Sequence, residues 1–250
     1  MNTMHDVWSI VQCEGSESVR ALLELLMPEY IRIFGKDTML YEPCIVYNEK
    51  QSSCPMLVTN TNPIRIRLSQ LSLSYWAQTV FQLSHEMCHY AIRQKKSDKD
   101  YSLTWFEEVL CESMSLYALE YAAANWSRCD LSQMSPRFGV CIQDYLINEL
   151  KDIGTDELYN STSLIKLKAY NEICCDDRGS HRNERNIVYK AIHKNPLDAR
   201  CFLNYPQYIN PSTKLTIDFD RWEQDDPCYL VRILRYTQPN ISFSKELINV

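Results

Sequence analysis

Apolar side chains recur at helical spacing over residues 16–34. Val19, Leu22, Leu23, Leu25, Leu26, Tyr30, Ile31 and Phe34 carry the pattern, and Pro28 marks a break or kink. The period then shortens. Residues 39–47, 55–59 and 64–68 are apolar runs bounded by turn residues, and they predict strands. Ile64-Arg65-Ile66-Arg67-Leu68 alternates cleanly, which buries one face and wets the other. Asn60-Thr61-Asn62-Pro63 reads as a hairpin-like turn between two of these strands. A helix is predicted next over 75–93, from Ala77, Val80, Phe81, Leu83, Met87, Tyr90, Ala91 and Ile92, with no charge before Glu86. A polar connection at 94–102 leads to a predicted helix from about 103 to 125. Beyond a loop at 129–136, helices are predicted over 138–150, 163–174 and 183–193. The remainder is mixed, with Pro196, Pro206, Pro211, Pro227 and Pro239 punctuating short segments. The order predicts an α+β protein, mainly helical, with a small N-terminal sheet beside the 75–93 helix. A softening near 127–136 divides an expected N-terminal lobe, 1–130, from a mainly helical lobe, 131–250, packed as one unit with a cleft between them.

Composition narrows the function classes. At 250 residues the chain is long enough to bury a full core, and 45% hydrophobic with 23% charged residues is ordinary for a globular protein. The net charge of −6 comes with no basic block, so nucleic-acid binding has no electrostatic footprint. Mild acidity suits solubility and a basic peptide as partner. No apolar run reaches the length of a membrane span, and residues 1–10 lack the cationic start and apolar core of a secretory signal. Eleven cysteines, odd in number and scattered, then read as reduced thiols of a cytoplasmic protein. Asn125, Asn160 and Asn240 head glycosylation sequons that carry no meaning in that compartment.

The chemistry lies in two segments. His85-Glu86-Met87-Cys88-His89 is an H-E-x-x-H element, and it holds two of the five histidines of the chain. On a helix, positions i and i+4 share a face, so both imidazoles can close on one metal ion while Glu86 lies beside it without being a ligand. Trp105-Phe106-Glu107-Glu108-Val109-Leu110-Cys111-Glu112 offers a third ligand. Two His and one Glu leave a fourth position open for water, the arrangement of a catalytic rather than a structural zinc site. The bland reading of the two histidines is an ordinary, partly buried pair. Glu107 reads as a solvated helix face, whereas Glu108 shares its face with Cys111, Glu112, Ser115 and Leu119. Cys88 reads as a small buried filler.

Over residues 75–120 the chain resembles the gluzincin metallopeptidases. In that family the third ligand is a Glu on a second helix, placed as Glu108 is here, with residues 90–107 between it and His89 and Trp105-Phe106-Glu107 before it. The resemblance implies zinc on His85, His89 and Glu108, with Glu86 as general base. It also implies that Glu112, one turn beyond Glu108, orients a ligand histidine through its other ring nitrogen. Two positions depart from the family: Glu107 stands where an Asn is common, and Val109 where a small residue is common. A helix, a small sheet and then the motif helix is the order of a zincin-like active-site lobe. In such folds an edge strand can hold an extended peptide.

The implied activity is peptide-bond hydrolysis by metal-activated water, with a peptide or protein substrate and narrow specificity. An oxyanion donor is expected from the C-terminal lobe among Tyr145, Tyr170, His181, Arg182, Arg185 and Tyr189. The 181–189 stretch, through His181 and Tyr189, is preferred because it clusters polar donors ahead of an apolar helix. Cys174-Cys175-Asp176-Asp177 followed by His181 fits no established zinc pattern and reads as loop and packing residues. The competing reading is a zincin-fold binding or regulatory protein whose zinc is structural or vestigial. A third is hydrolysis of a non-protein amide or ester.

Overall fold

The computed structural model describes residues 3–95, 103–152, 154–177 and 179–241. Along the chain these form α1 (Met4–Val7), β1 (Trp8–Ile10), α2 (Ser16–Phe34), α3 (Lys36–Met39), β2 (Cys44–Asn48), β3 (Met56–Val58), β4 (Ile64–Leu68), α4 (Trp76–Arg93) and α5 (Thr104–Ala124). Two 3-10 turns lead on to α6 (Phe138–Lys151), α7 (Leu164–Ile173) and α8 (Arg182–Lys194). A long 3-10 stretch (Pro196–Tyr208), α9 (Phe219–Asp225) and α10 (Tyr229–Leu234) follow. The fold is α+β and mainly helical, as the periodicity predicts. The expected connection at 94–102 lies largely outside the described residues.

The sheet has the order β1-β2-β4-β3. β1 and β4 run parallel to β2, and β3 closes the sheet antiparallel to β4 at one edge. Alternation in β4 is realised as predicted: Ile64, Ile66 and Leu68 are buried and Arg65 is exposed. The 60–63 segment joins β3 to β4 as the expected antiparallel connection. The predicted strand at 39–47 begins later, at Cys44, because Lys36–Met39 turns as a helix after Gly35. Helix α2 runs through Pro28 without interruption, so the expected break is absent. It begins after Gly15, whose φ of +82° and close approach to Leu73, 2.8 Å from where a Cβ would stand, suit only glycine.

Helix α4 crosses the core. Val80, Leu83, Met87, Cys88, Tyr90, Ala91 and Ile92 are inaccessible to solvent. Polar bonds fix its position against the sheet and α2. Tyr30 Oη donates to the Ser84 carbonyl at 2.8 Å. Gln82 brackets Ser69, just beyond β4, accepting from its N–H at 3.0 Å and donating to its carbonyl at 3.1 Å. Tyr90 Oη donates to the Glu42 carbonyl at 2.8 Å. Helix α5 is apolar nearly all round, as befits a helix enclosed by others. Trp105 Nε1 anchors its start on the Leu215 carbonyl at 3.0 Å, and the Phe106 ring packs among Tyr205, Phe219 and Trp222. One buried cluster extends from Val7 to Leu234. The central, tied-down pair α4 and α5 carries the chemistry.

Candidate metal centre

His85 and His89 stand one turn apart on α4 and face α5, which presents Glu108. His85 Nε2 and His89 Nε2 are 3.1 Å apart. The Glu108 carboxylate bridges them, with Oε2 3.3 Å from His85 Nε2 and Oε1 3.5 Å from His89 Nε2. Among the described residues these three are the group whose ligand atoms converge closely enough to hold a metal ion. His85, Glu86 and Glu108 are buried and His89 is nearly so.

Electrostatics favour a positive charge at this point. Burial opposes charging of His89, but the Glu107 and Glu108 carboxylates outweigh it and hold the imidazole well above its ordinary pKa. Burial likewise pushes Glu108 up, and His85 and His89 outweigh it, holding the carboxyl well below the usual range. The two shifts are reciprocal: the carboxylates favour the charged imidazole, and the imidazoles favour the charged carboxylate.

Glu107 corrects the expectation of a solvated face. Its side chain is 12% exposed, and Oε1 lies 2.8 Å from His89 Nδ1. Tyr205, from the 3-10 stretch, donates its hydroxyl to the other oxygen. Glu107 is thus the carboxylate that fixes the His89 ring through Nδ1, leaving Nε2 turned toward His85 and Glu108. Glu112, expected to orient a ligand histidine, lies within electrostatic reach of the His85 imidazole, which helps hold its pKa down. It is fully buried and accepts from Arg185 Nη1 at 3.0 Å, with His181 Nε2 at 3.5 Å. His85 Nδ1 has no hydrogen-bond partner among the described residues. Carboxylates on the far nitrogen fix ring orientation and tautomer and raise ligand basicity. Glu107→Gln is accordingly expected to weaken metal affinity roughly 10–100-fold. Competition against a chromophoric chelator measures it.

A cleft of about 350 Å³ opens over the centre. His85, Glu86, His89, Arg93, Glu107 and Glu108 line it from α4 and α5. Cys54, Pro55, Met56, Leu57 and Thr59 form the wall at edge strand β3, and Cys175 and Asp176 close it from the loop after α7. The Cys174–Asp177 segment, read as packing and loop, thus contributes to the cleft wall. None of the six expected oxyanion donors lines it. His181 is fully buried, with Nδ1 2.7 Å from the Tyr170 hydroxyl. Tyr189 donates to Glu120 Oε2 at 3.0 Å, three turns along α5 from Glu108. Tyr145 packs on Phe81, Arg182 pairs with Asp152, and Arg185 is buried against Glu112. His181, Arg185 and Tyr189 turn toward Glu112 and Glu120 of α5 rather than toward the cleft.

The buried network behind the site gives a pH dependence. Burial raises the Glu112 carboxyl, but His181, then Arg185 and His85, outweigh it and hold the pKa at about 2. The unfolded chain takes the ordinary value of 4.5. Depressed in the fold, this group contributes stability that is complete above 4.5 and is lost as pH falls toward about 2. Acid titration of the urea midpoint is expected to show a decline over that window in wild type and a shallower one in Glu112→Gln.

Comparison with known proteins finds no family model, no curated protein and no solved structure that matches the chain. Among the described residues no helix is long and apolar enough to cross a membrane.

Proposed function

We propose that this chain is a zinc-dependent hydrolase that cleaves peptide bonds, with Glu86 as general base and a narrow, cytoplasmic processing or regulatory role. The observation that carries the reading is the convergence of His85, His89 and Glu108 beside Glu86 on the floor of a cleft. The donor set fits zinc, which takes imidazole nitrogens and carboxylate oxygens, and one ligand atom from each of the three residues lies within 4.8 Å of the other two. Three protein ligands facing an open cleft match a catalytic site rather than a closed structural one.

Zinc bound there supplies Lewis-acid polarisation of a carbonyl and brings the pKa of its water near neutral. The chain's own residues do the rest. His85, His89 and Glu108 hold the ion, and Glu107 with Tyr205 sets the His89 ring. Glu86 takes a proton from the attacking water and delivers it to the leaving amine. Pro55, Met56 and Leu57 give the cleft an apolar wall on which an extended peptide can lie. The second reading, a binding protein with structural zinc, gives no task to an acid beside the metal position on the cleft floor.

Zinc-loaded protein incubated with a defined mixture of unlabelled peptides, read by mass spectrometry, tests the proposal. Chelator-sensitive cleavage at a small set of bonds is expected. Stoichiometric zinc without cleavage of any peptide favours the binding-protein reading.

A further inference from the structure

Arg93 is the last residue of α4 and the one arginine or lysine lining the cleft among the described residues. His85, His89 and Arg93 are spaced four apart, so they follow one face of the helix. At 1.5 Å of rise per residue, Arg93 stands about 6 Å along the axis beyond His89. The cleft holds four carboxylates, and three have other tasks. Glu107 is bonded to His89 and Tyr205, Glu108 faces both ligand histidines, and Glu86 stands beside the metal position. Asp176 reaches the cleft from the loop after α7, and no ion pair joins it or any other described carboxylate to Arg93, whose exposed guanidinium keeps its donors available. Elsewhere on the surface, arginines such as Arg32, Arg221, Arg232 and Arg235 do pair with nearby acids.

From this arrangement we propose that Arg93 is a specificity residue that reads a substrate carboxylate, so that the substrate is a peptide bearing a carboxylate within about two residues of the bond cut. The proposal rests on the peptidase reading above. A guanidinium presents a planar fork that matches a carboxylate in two parallel hydrogen bonds. An extended chain advances about 3.3–3.6 Å per residue, so a carboxylate at Arg93 belongs to a residue close to the scissile bond. The carboxylate can come from a chain terminus or from an Asp or Glu side chain, and the two sources make different enzymes. The local cation points away from the basic substrate that the net charge alone would favour.

The test uses full-length, zinc-loaded protein and matched peptide pairs. One series differs only in a C-terminal carboxylate against a C-terminal amide, the other only in Glu against Gln at each position near the cut. The carboxylate member is expected to have a KM lower by roughly tenfold or more, at similar kcat. Arg93→Gln collapses that ratio, and Arg93→Glu shifts preference toward Lys-bearing peptides, while thermal stability is retained. Calorimetric titration of the same peptides into the zinc-loaded Glu86→Gln variant reads the preference as binding, independent of turnover. Preference confined to the first series identifies recognition of the chain terminus, and preference in the second identifies recognition of a side chain. Either supports the assignment. Equal handling of both members, or a ratio unchanged in Arg93→Gln, overturns it and leaves the peptidase reading standing. Cleavage and binding of no peptide at all overturns both.

Discussion

The Glu86→Gln protein is expected to retain its zinc and to lose hydrolysis by roughly a hundred- to ten-thousand-fold, the range that a positioned general base contributes. Gln keeps the shape and the buried setting of Glu86, and the three ligand atoms belong to other residues. On the proposed mechanism, the fold and the ion therefore remain while the proton acceptor is gone. The loss falls on kcat rather than KM, because the interaction that is removed forms in the transition state. Single-turnover kinetics beside elemental analysis separates this outcome from simple loss of metal. Residual turnover near the wild-type rate would show that another group takes the proton.

The second large effect is on stability. Arg185 is 1% exposed and Glu112 is inaccessible, and their contact at 3.0 Å is completed by Arg185 Nη2 donating to the Glu149 carbonyl at 2.8 Å. Ser113 Oγ donates to the Arg185 carbonyl at 3.0 Å, which ties α8 to α5 at the same level. Replacing Arg185 removes the cation that is hydrogen-bonded to Glu112 and leaves a buried carboxylate with only the His181 imidazole, 3.5 Å away, to offset it. Arg185→Met is therefore expected to cost about 3–5 kcal/mol. Replacing both with apolar residues of similar volume, Arg185→Met with Glu112→Leu, is expected to recover most of the loss. The exposed cluster of Arg235 with Asp220 and Glu223 offers the contrast, since Arg235→Met is expected to cost less than about 1 kcal/mol. Urea denaturation of the metal-free proteins measures all three.

The parts of this molecule that local pattern encodes were readable from the chain. His85 and His89 need only a helix to face one way, and the apolar positions around them specify that helix. Glu108 shares a helix face with Cys111, Glu112, Ser115 and Leu119 that the sequence itself displays. Alternation in β4 gave its buried face directly. What escaped depends on partners distant in sequence. Glu107 and Glu108 are neighbours on one helix, and nothing local distinguishes a wet acid from one covered by Tyr205. That tyrosine arrives from a 3-10 stretch far along the chain. His181 and Tyr189 look like donors awaiting a cleft, but α8 packs on α5 in a way that turns them inward to Glu112 and Glu120. Strand β1 has three residues, too few for any period, and exists because β2 pairs beside it. Residues 36–39 form a helical turn after Gly35, so the strand expected from Met39 begins only at Cys44.

Zinc content by elemental analysis, wild type beside Glu108→Ala, tests the central claim most directly. About one zinc per chain is expected in wild type, as a single site requires, with its loss in Glu108→Ala. A wild type that takes up no zinc after reconstitution, or a Glu108→Ala protein that keeps it with undiminished affinity, would contradict the assignment of this centre.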